Sequence, residues 1–214
     1  MPNVTAPTRI VVGVTGASGA AYAARLVQLL VTHDVHTHLV VSPLGQRLLQ
    51  DELGMEGVDL AVLSGGEPGD APPAHLTYHH HKDVGATIAS GSFRHDGMIV
   101  CPCSSNTLGA IATGSAQNLI HRAAHVTLKE RRKLVLVHRE MPLSLVDIRN
   151  MESVTTAGAV VAPANPGFYM LPSTIAELID FVVGRCLDLV NVEHDLNVRW
   201  AGRIEKRLTA KASS

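Results

Sequence analysis

The stretch Ile10-Val11-Val12-Gly13-Val14-Thr15-Gly16-Ala17-Ser18-Gly19 decides the fold. Its first five residues are a largely β-branched run, suited to a strand buried on both faces. The next five are small and glycine-rich, and Tyr22, Leu26, Leu29 and Leu30 then recur at helical spacing. Strand, glycine-rich turn and helix in that order open a parallel α/β sheet. Glycines three apart let backbone N–H groups approach an anion at the helix start; a plain tight turn would use the same residues. The spacing is not the dinucleotide pattern Gly-x-Gly-x-x-Gly.

The same alternation continues outward. Residues 35–41 read as a second strand and 43–52 as a second helix, with Pro43 allowed in its first turn. Residues 98–101 read as a third strand, and 134–137 and 159–161 as further ones. Helices are expected over 118–132, 145–156 and 173–190, and a Gly/Pro/Asp-rich loop over 54–73. Strands separated by helices predict parallel pairing with right-handed crossovers. The expected fold class is therefore α/β, a doubly wound Rossmann-like or flavodoxin-like parallel sheet in three αβα layers. At 214 residues the chain fits one domain over 1–202, followed by a polar, disordered tail over 203–214. Ligands in such sheets bind beyond the carboxyl ends of the strands.

Composition narrows the function. Hydrophobic residues are 46% of the chain and the net charge is −1, so a large core is expected and a nucleic-acid partner is not. The apolar runs are strand-length, which predicts no membrane span. No basic segment followed by an apolar stretch opens the chain, and a cytoplasmic location is expected. Three cysteines, Cys101, Cys103 and Cys186, form no zinc or disulfide pattern and are read as buried thiols. His79, His80 and His81 are adjacent and would point in different directions, so they are read as a solvated turn, and no metal is expected.

The loops after the strands carry the chemistry. The second strand ends in Ser42, where an NAD-binding fold would place an acid for the ribose, which disfavours NAD. After Cys103, the run Ser104-Ser105-Asn106-Thr107 enters a helix. It could cap that helix or cradle a phosphate. His138-Arg139-Glu140 follows a buried strand, placed either for function or as a surface ion pair. Lys129 to Arg132 would usually be a solvated helix end, with basic residues favouring the C-terminal dipole, and Arg122 upstream is ambiguous in the same way. Tyr169 sits in the proline-stiffened loop 163–172, and Arg185 interrupts an apolar helix, where a cation needs an anionic partner.

Together these residues form a set. Thr-Gly-Ala-Ser-Gly (15–19), Ala-Ser-Gly-Ser-Phe (89–93), Pro-Cys-Ser (102–104) and Asn-Leu-Ile-x-Arg-Ala-Ala (118–124) come first. Leu-Lys-Glu-Arg-Arg (128–132), Arg-Glu-Met-Pro-Leu (139–143) and Pro-Gly-Phe-Tyr (166–169) complete it. From about residue 9 to 200 the chain resembles the UbiX-type flavin prenyltransferases. The resemblance implies an FMN-binding homododecamer that joins dimethylallyl monophosphate to N5 and C6 of reduced FMN. The prenylated FMN then passes to a UbiD-type decarboxylase. By matching position, Gly16, Ala17, Ser18, Ser42, Ser104, Ser105, Asn106, Thr107 and Arg139 should contact FMN. Lys129, Glu140, Tyr169 and Arg185 should surround the prenyl phosphate, with Arg122 arriving from a neighbouring subunit. Ser18, Glu52 and Ser90 fall near the reacting flavin, and Trp200 near the prenyl site. The segment 54–74 matches no motif of the family, and a proline follows Ser42.

Residue types agree with that chemistry. Departure of phosphate from an allylic carbon calls for cations on the leaving group and an acid–base partner. Lys129, Arg139 and Arg185 supply charge and Glu140 the carboxyl, so a metal-independent prenyltransferase is expected. The alternatives are an FMN-dependent cysteine decarboxylase of the same fold, or a non-catalytic FMN-binding accessory subunit. A decarboxylase would need its histidine elsewhere than His75 or His79 to His81, and a carrier would need no leaving-group apparatus.

Overall fold

Alternate residues of the opening strand face opposite cores. In the computed structural model, which describes residues 7–196, β1 (Arg9–Val14) sends Ile10, Val12 and Val14 to one side and Val11 to the other. The other central strands, β4 (Gly97–Cys103) and β5 (Lys133–His138), divide likewise. Ile99, Cys101, Val135 and Val137 join the first core, and Met98, Val100, Leu134 and Leu136 the second. Strands buried on both faces require helices on both faces.

The helices comply. The first core is covered by α1 (Ala20–Thr32), α2 (Pro43–Leu53), the one-turn α3 (Leu60–Leu63) and α7 (Ile175–Leu189). The second is covered by α4 (Ser105–Ala112), α5 (Leu119–Lys129) and α6 (Leu145–Thr156). With β2 (His36–Val41), β3 (Leu76–His80) and the short β6 (Val160–Val161), the sheet runs β3-β2-β1-β4-β5-β6, every pair parallel. The expected three-layer, doubly wound sheet is present, and its order reverses between β1 and β4. Among the described residues no helix is long and apolar enough to cross a membrane.

Several boundaries differ from the sequence reading. The histidine triplet is not a solvated turn throughout: His79 and His80 belong to β3, and residues 98–101 lie in the fourth strand, not the third. β3 is an edge strand of low apolarity, held by parallel pairing to β2 and by His38 Nδ1, 3.0 Å from His79 Nε2. Such a strand lacks the hydrophobic run that announces a buried one. The segment 54–73 contains α3, capped by Asp59, whose carboxylate accepts from the N–H groups of Ala61 and Val62. Asn118 and Thr174 are the N-caps of α5 and α7, so both helices start later than expected. Cys101, Cys103 and Cys186 are buried and unbridged, as read. Residues 203–214 and Trp200 lie outside the described residues.

The order reversal is held by Thr15. Its hydroxyl, buried, donates to Pro102 O at 2.8 Å and accepts from Ser104 N at 2.9 Å. The Thr15 N–H also reaches Pro102 O, at 3.2 Å. Pro102 has no N–H to give, and the β4–β5 register shifts between Val100 and Cys103, around it. The β1 loop is thus tied to the β4 loop just where β4 stops behaving as a regular strand. On the other flank, Gly45 brings α2 against β1. A Cβ there would lie 2.6 Å from Val14 O, so no larger residue fits without moving the helix.

Thr15→Val keeps the shape and removes the hydroxyl, leaving the Ser104 N–H without its partner. The expected cost is about 1–3 kcal/mol, seen as a lower urea midpoint at unchanged slope. A midpoint equal to that of the unmodified protein would mean the bridge is energetically neutral.

Candidate active site

Five loops meet above the carboxyl ends of the strands. From β1 comes residues 15–19, ending in Gly19 with φ +130°, a conformation that suits glycine. Gly19 is the N-cap of α1, but it has no side chain to satisfy the helix N–H groups. Glu52, near the end of α2, does this instead. Its carboxylate accepts from Gly19 N at 3.0 Å and Ala20 N at 2.8 Å, and also from the Ser18 side chain. Partial burial alone would raise this carboxyl. The hydrogen bonds from Ser18, Ala20 and Gly19, with the Arg139 charge, outweigh it and hold the group below its ordinary value. Arg139 reaches the same loop, its Nε donating to Ser18 O at 3.2 Å. Ser18, Glu52 and Arg139, which come from three parts of the sequence, are one cluster.

Ser42 caps α2, its hydroxyl accepting from Gly45 N at 3.0 Å, so its side chain lies at the same edge. Ser104 caps α4, accepting from Thr107 N at 3.3 Å and donating to Thr107 Oγ1 at 3.2 Å. That leaves the Thr107 proton and the exposed Asn106 amide as side-chain donors at this helix entrance. Ser105 is turned the other way, its Oγ 3.2 Å from His138 Nε2. The two glycine- or hydroxyl-rich loops are therefore unlike. The start of α1 holds the carboxylate of Glu52 on its backbone N–H groups, whereas α4 has no acidic residue in its own first turn and meets Asp147 through the Ser105 hydroxyl rather than through its N–H groups. The α4 entrance is the better fit for a terminal phosphate, and its donor set suits one.

Glu140 is exposed, its Oε1 accepting from the Met141 N–H at 3.0 Å. The loop after β6 lies beside them, since Ala164 N donates to His138 O at 3.0 Å. Tyr169 is 46% exposed in a short 3-10 turn, edge-on to Phe181 with ring centres 5.6 Å apart. It is a surface aromatic.

The remaining candidates lie elsewhere in the same chain. Lys129 is the last residue of α5 and pairs with Glu130 at 3.6 Å, next to the start of β5. Ser90 lies at that lower end too, its hydroxyl 2.9 Å from that of Ser92, while Arg132 donates to the Gly91 and Phe93 carbonyls. Arg122 is exposed on the outer side of α5. Arg185 finds its anionic partner in Asp188, at 2.6 Å on its own helix. The sequence reading quoted Thr15 and His138 within motifs but gave neither a role of its own, and it did not mention Asp147, the buried partner at the same edge. Thr15 could have been found as the one branched hydroxyl among the small residues of its loop.

Because Glu52 is held below its ordinary value, its stabilising contribution is present above pH 4.5 and is lost as pH falls through the folded-state value. Glu52→Gln should cost about 1 kcal/mol at neutral pH, the range for a charge at a helix N-terminus, and progressively less in acid. Urea unfolding at neutral and acid pH checks this; an offset that does not narrow would show that charge is not the cause.

Residues 3–187 match the family described as Flavoprotein. The chain is 44% identical to "Flavin prenyltransferase UbiX" of Halalkalibacterium halodurans, over 88% of this chain and 91% of that one. A crystal structure of AnUbiX (PadA1) in complex with FMN and dimethylallyl pyrophosphate is 42% identical, with a TM-score of 0.79 over 92% of this chain and 100% of that one. A dodecameric FMN-dependent UbiX-like decarboxylase from Escherichia coli is also 42% identical, with a TM-score of 0.81 over the same shares. The chain belongs to the UbiX family of flavin prenyltransferases, within the flavoproteins.

Proposed function

We propose that this chain transfers the dimethylallyl group of dimethylallyl monophosphate to N5 and C6 of reduced FMN. The observation that carries the reading is the Ser18–Glu52–Arg139 cluster at the same loop edge as an α4 start with no acidic residue in its own first turn. The 44% identity to a flavin prenyltransferase supports it. Reduced FMN supplies the nucleophilic atoms as the acceptor substrate. The residues placed to hold it are Gly16, Ala17, Ser18, Ser42, Arg139 and the α4 entrance, with Ser104, Asn106 and Thr107 nearest the phosphate. Arg139 and Glu140 stand side by side at the end of β5, Arg139 to offset negative charge and Glu140 to move a proton at the leaving phosphate. Tyr169 adds a hydroxyl on the neighbouring loop.

Lys129, Ser90 and Arg122 would complete the site from adjoining copies, in a homododecamer like that of the Escherichia coli relative. Exposed apolar side chains flank the site and suit such contacts: Met141 at 88%, Phe168 at 69%, Val146 at 66% and Ile175 at 76%. The product would serve a UbiD-type decarboxylase, and a cytoplasmic location belongs to the same reading. The monophosphate is preferred on chemical grounds. No two aspartates are adjacent in the sequence, and no Asp-Asp-x-x-Asp motif is present to hold Mg²⁺ for a diphosphate.

Incubation with reduced FMN and dimethylallyl monophosphate should give a flavin heavier by one five-carbon prenyl unit, with and without EDTA. An unmodified flavin, or activity that needs added Mg²⁺, would overturn the reading. Glu140→Gln should bind FMN as before and slow single-turnover prenyl transfer by on the order of 10²–10⁴. Unchanged single-turnover rates would return Glu140 to an ordinary surface carboxylate.

A further inference from the structure

His138 ends β5 immediately before Arg139 and Glu140 and is 3% exposed, yet none of the steps above uses it. Its Nε2 lies 3.2 Å from the hydroxyl of Ser105, the first residue of α4. Asp147, in the first turn of α6 and 7% exposed, accepts from Ser144 Oγ at 2.6 Å and Ser144 N at 2.9 Å. The Ser105 hydroxyl adds a further hydrogen bond to the same carboxylate. Three elements that frame the site therefore meet at one buried point: α4 through Ser105, β5 through His138 and α6 through Asp147.

The protons fix the order of donors. Ser105 has one proton to give, and a carboxylate is a stronger acceptor than a neutral imidazole. That proton goes to Asp147, so Ser105 Oγ accepts from His138, which carries its hydrogen on Nε2. Ser105 then has none left for a phosphate and acts from below the cradle. Asp147 remains ionised, its carboxyl held at about 2 first by the Ser144 hydroxyl and then by Ser105.

We propose that His138 is a positioning residue for prenyl transfer. Neutral and donating from Nε2 to Ser105, it locks the end of β5 to α4 and α6 and so fixes Arg139 and Glu140. This rests on the prenyl-transfer reading. Burial lowers the imidazole below its ordinary value, against the charges of Asp147 and Glu140, which favour the imidazolium, while Arg139 disfavours it. Cys103, paired with His138 across β4 and β5, has its thiol pushed up to about 12 by burial and stays neutral. Protonation would add a positive charge that both the Asp147 and the Glu140 carboxylates feel, biasing Glu140 toward His138 and away from the leaving phosphate. Transfer should therefore fall on an acid limb below pH 6.5, the ordinary imidazole value.

The test compares the unmodified protein with His138→Gln, whose amide can donate from the same place without titrating, and His138→Leu, which cannot donate. Single-turnover transfer, FMN affinity and melting temperature are followed from about pH 5 to pH 8. His138→Gln should keep the rate at neutral pH within about threefold and lose the acid limb. His138→Leu should lose about tenfold to a hundredfold in rate, as misplaced catalytic groups do, with FMN affinity little changed. Because the folded value is lowered, the unmodified protein should also lose melting temperature relative to His138→Gln as pH falls below 6.5. A full rate in His138→Leu, an acid limb kept in His138→Gln, or equal losses in both that track melting would each overturn the proposal. An unmodified flavin from the unmodified protein would instead remove the prenyl-transfer reading, and the melting comparison alone would then decide whether His138 titrates in the folded chain.

Discussion

The loop edge depends on one hydroxyl. Thr15 donates to Pro102 O and accepts from Ser104 N, so it joins the two strands between which the sheet reverses order. Reversal splits the crossovers to opposite faces and opens a crevice there. A crevice without a cross-tie would leave two loops free to move apart. Here the residue that accepts the tie, Pro102, cannot complete the ladder, and the residue that donates to it, Ser104, is the N-cap of α4. The position of the helix whose start fits a phosphate is therefore set from β1, not from its own strand alone.

Electrostatics then sort the crevice. Two helices start side by side, α1 and α4, and each offers the same partial positive charge. Glu52 takes the N–H groups of one, while the other has no acid in its own first turn and holds Asp147 only at arm's length through the Ser105 hydroxyl, so the two starts are no longer equivalent towards an anion. Arg139 touches the loop that Glu52 holds, which keeps its guanidinium at the rim with its neighbour Glu140 outward. A carboxylate that caps α1 thereby leaves the start of α4 as the more favourable of the two for an anion, with the Arg139 cation beside the α1 loop.

Much of this was legible in the sequence because it is local. Hydrophobic runs gave β1, β2, β4 and β5, and hydroxyl runs marked the start of α4. Ser18 and Arg139 lie in quoted motifs and Glu52 was named through the family resemblance, but the contacts Gly19–Glu52 and Ser18–Arg139 span 33 and 121 residues of sequence and appear only in three dimensions. β3 escaped because Leu-Thr-Tyr-His-His offers only Leu76 and Tyr78 to the core before two histidines; its pairing with β2 and an imidazole contact hold it. His138 and Asp147 escaped for a related reason. A histidine at a strand end and an aspartate in a first helical turn each have an ordinary local explanation, and Ser144 supplies one for Asp147 as a capping box. Only their shared contact with Ser105 gives them a joint role.

The placement of Lys129 follows from strand length. β5 has six residues and rises about 3.3 Å at each, so its two ends are on the order of 17–20 Å apart. Lys129 stands before the start of that strand and Arg139 after its finish, and Ser90 shares the lower end with Lys129. No lysine side chain spans such a distance within the chain. If Lys129 and Ser90 act on the same prenyl phosphate as Arg139 and Glu140, the lower end of one copy must meet the upper end of another. The exposed Met141, Val146, Phe168 and Ile175 ring that upper end with apolar surface, which water disfavours and a second copy would cover. Assembly and catalysis then draw on the same loops, and a substitution among those four apolar residues would weaken both together.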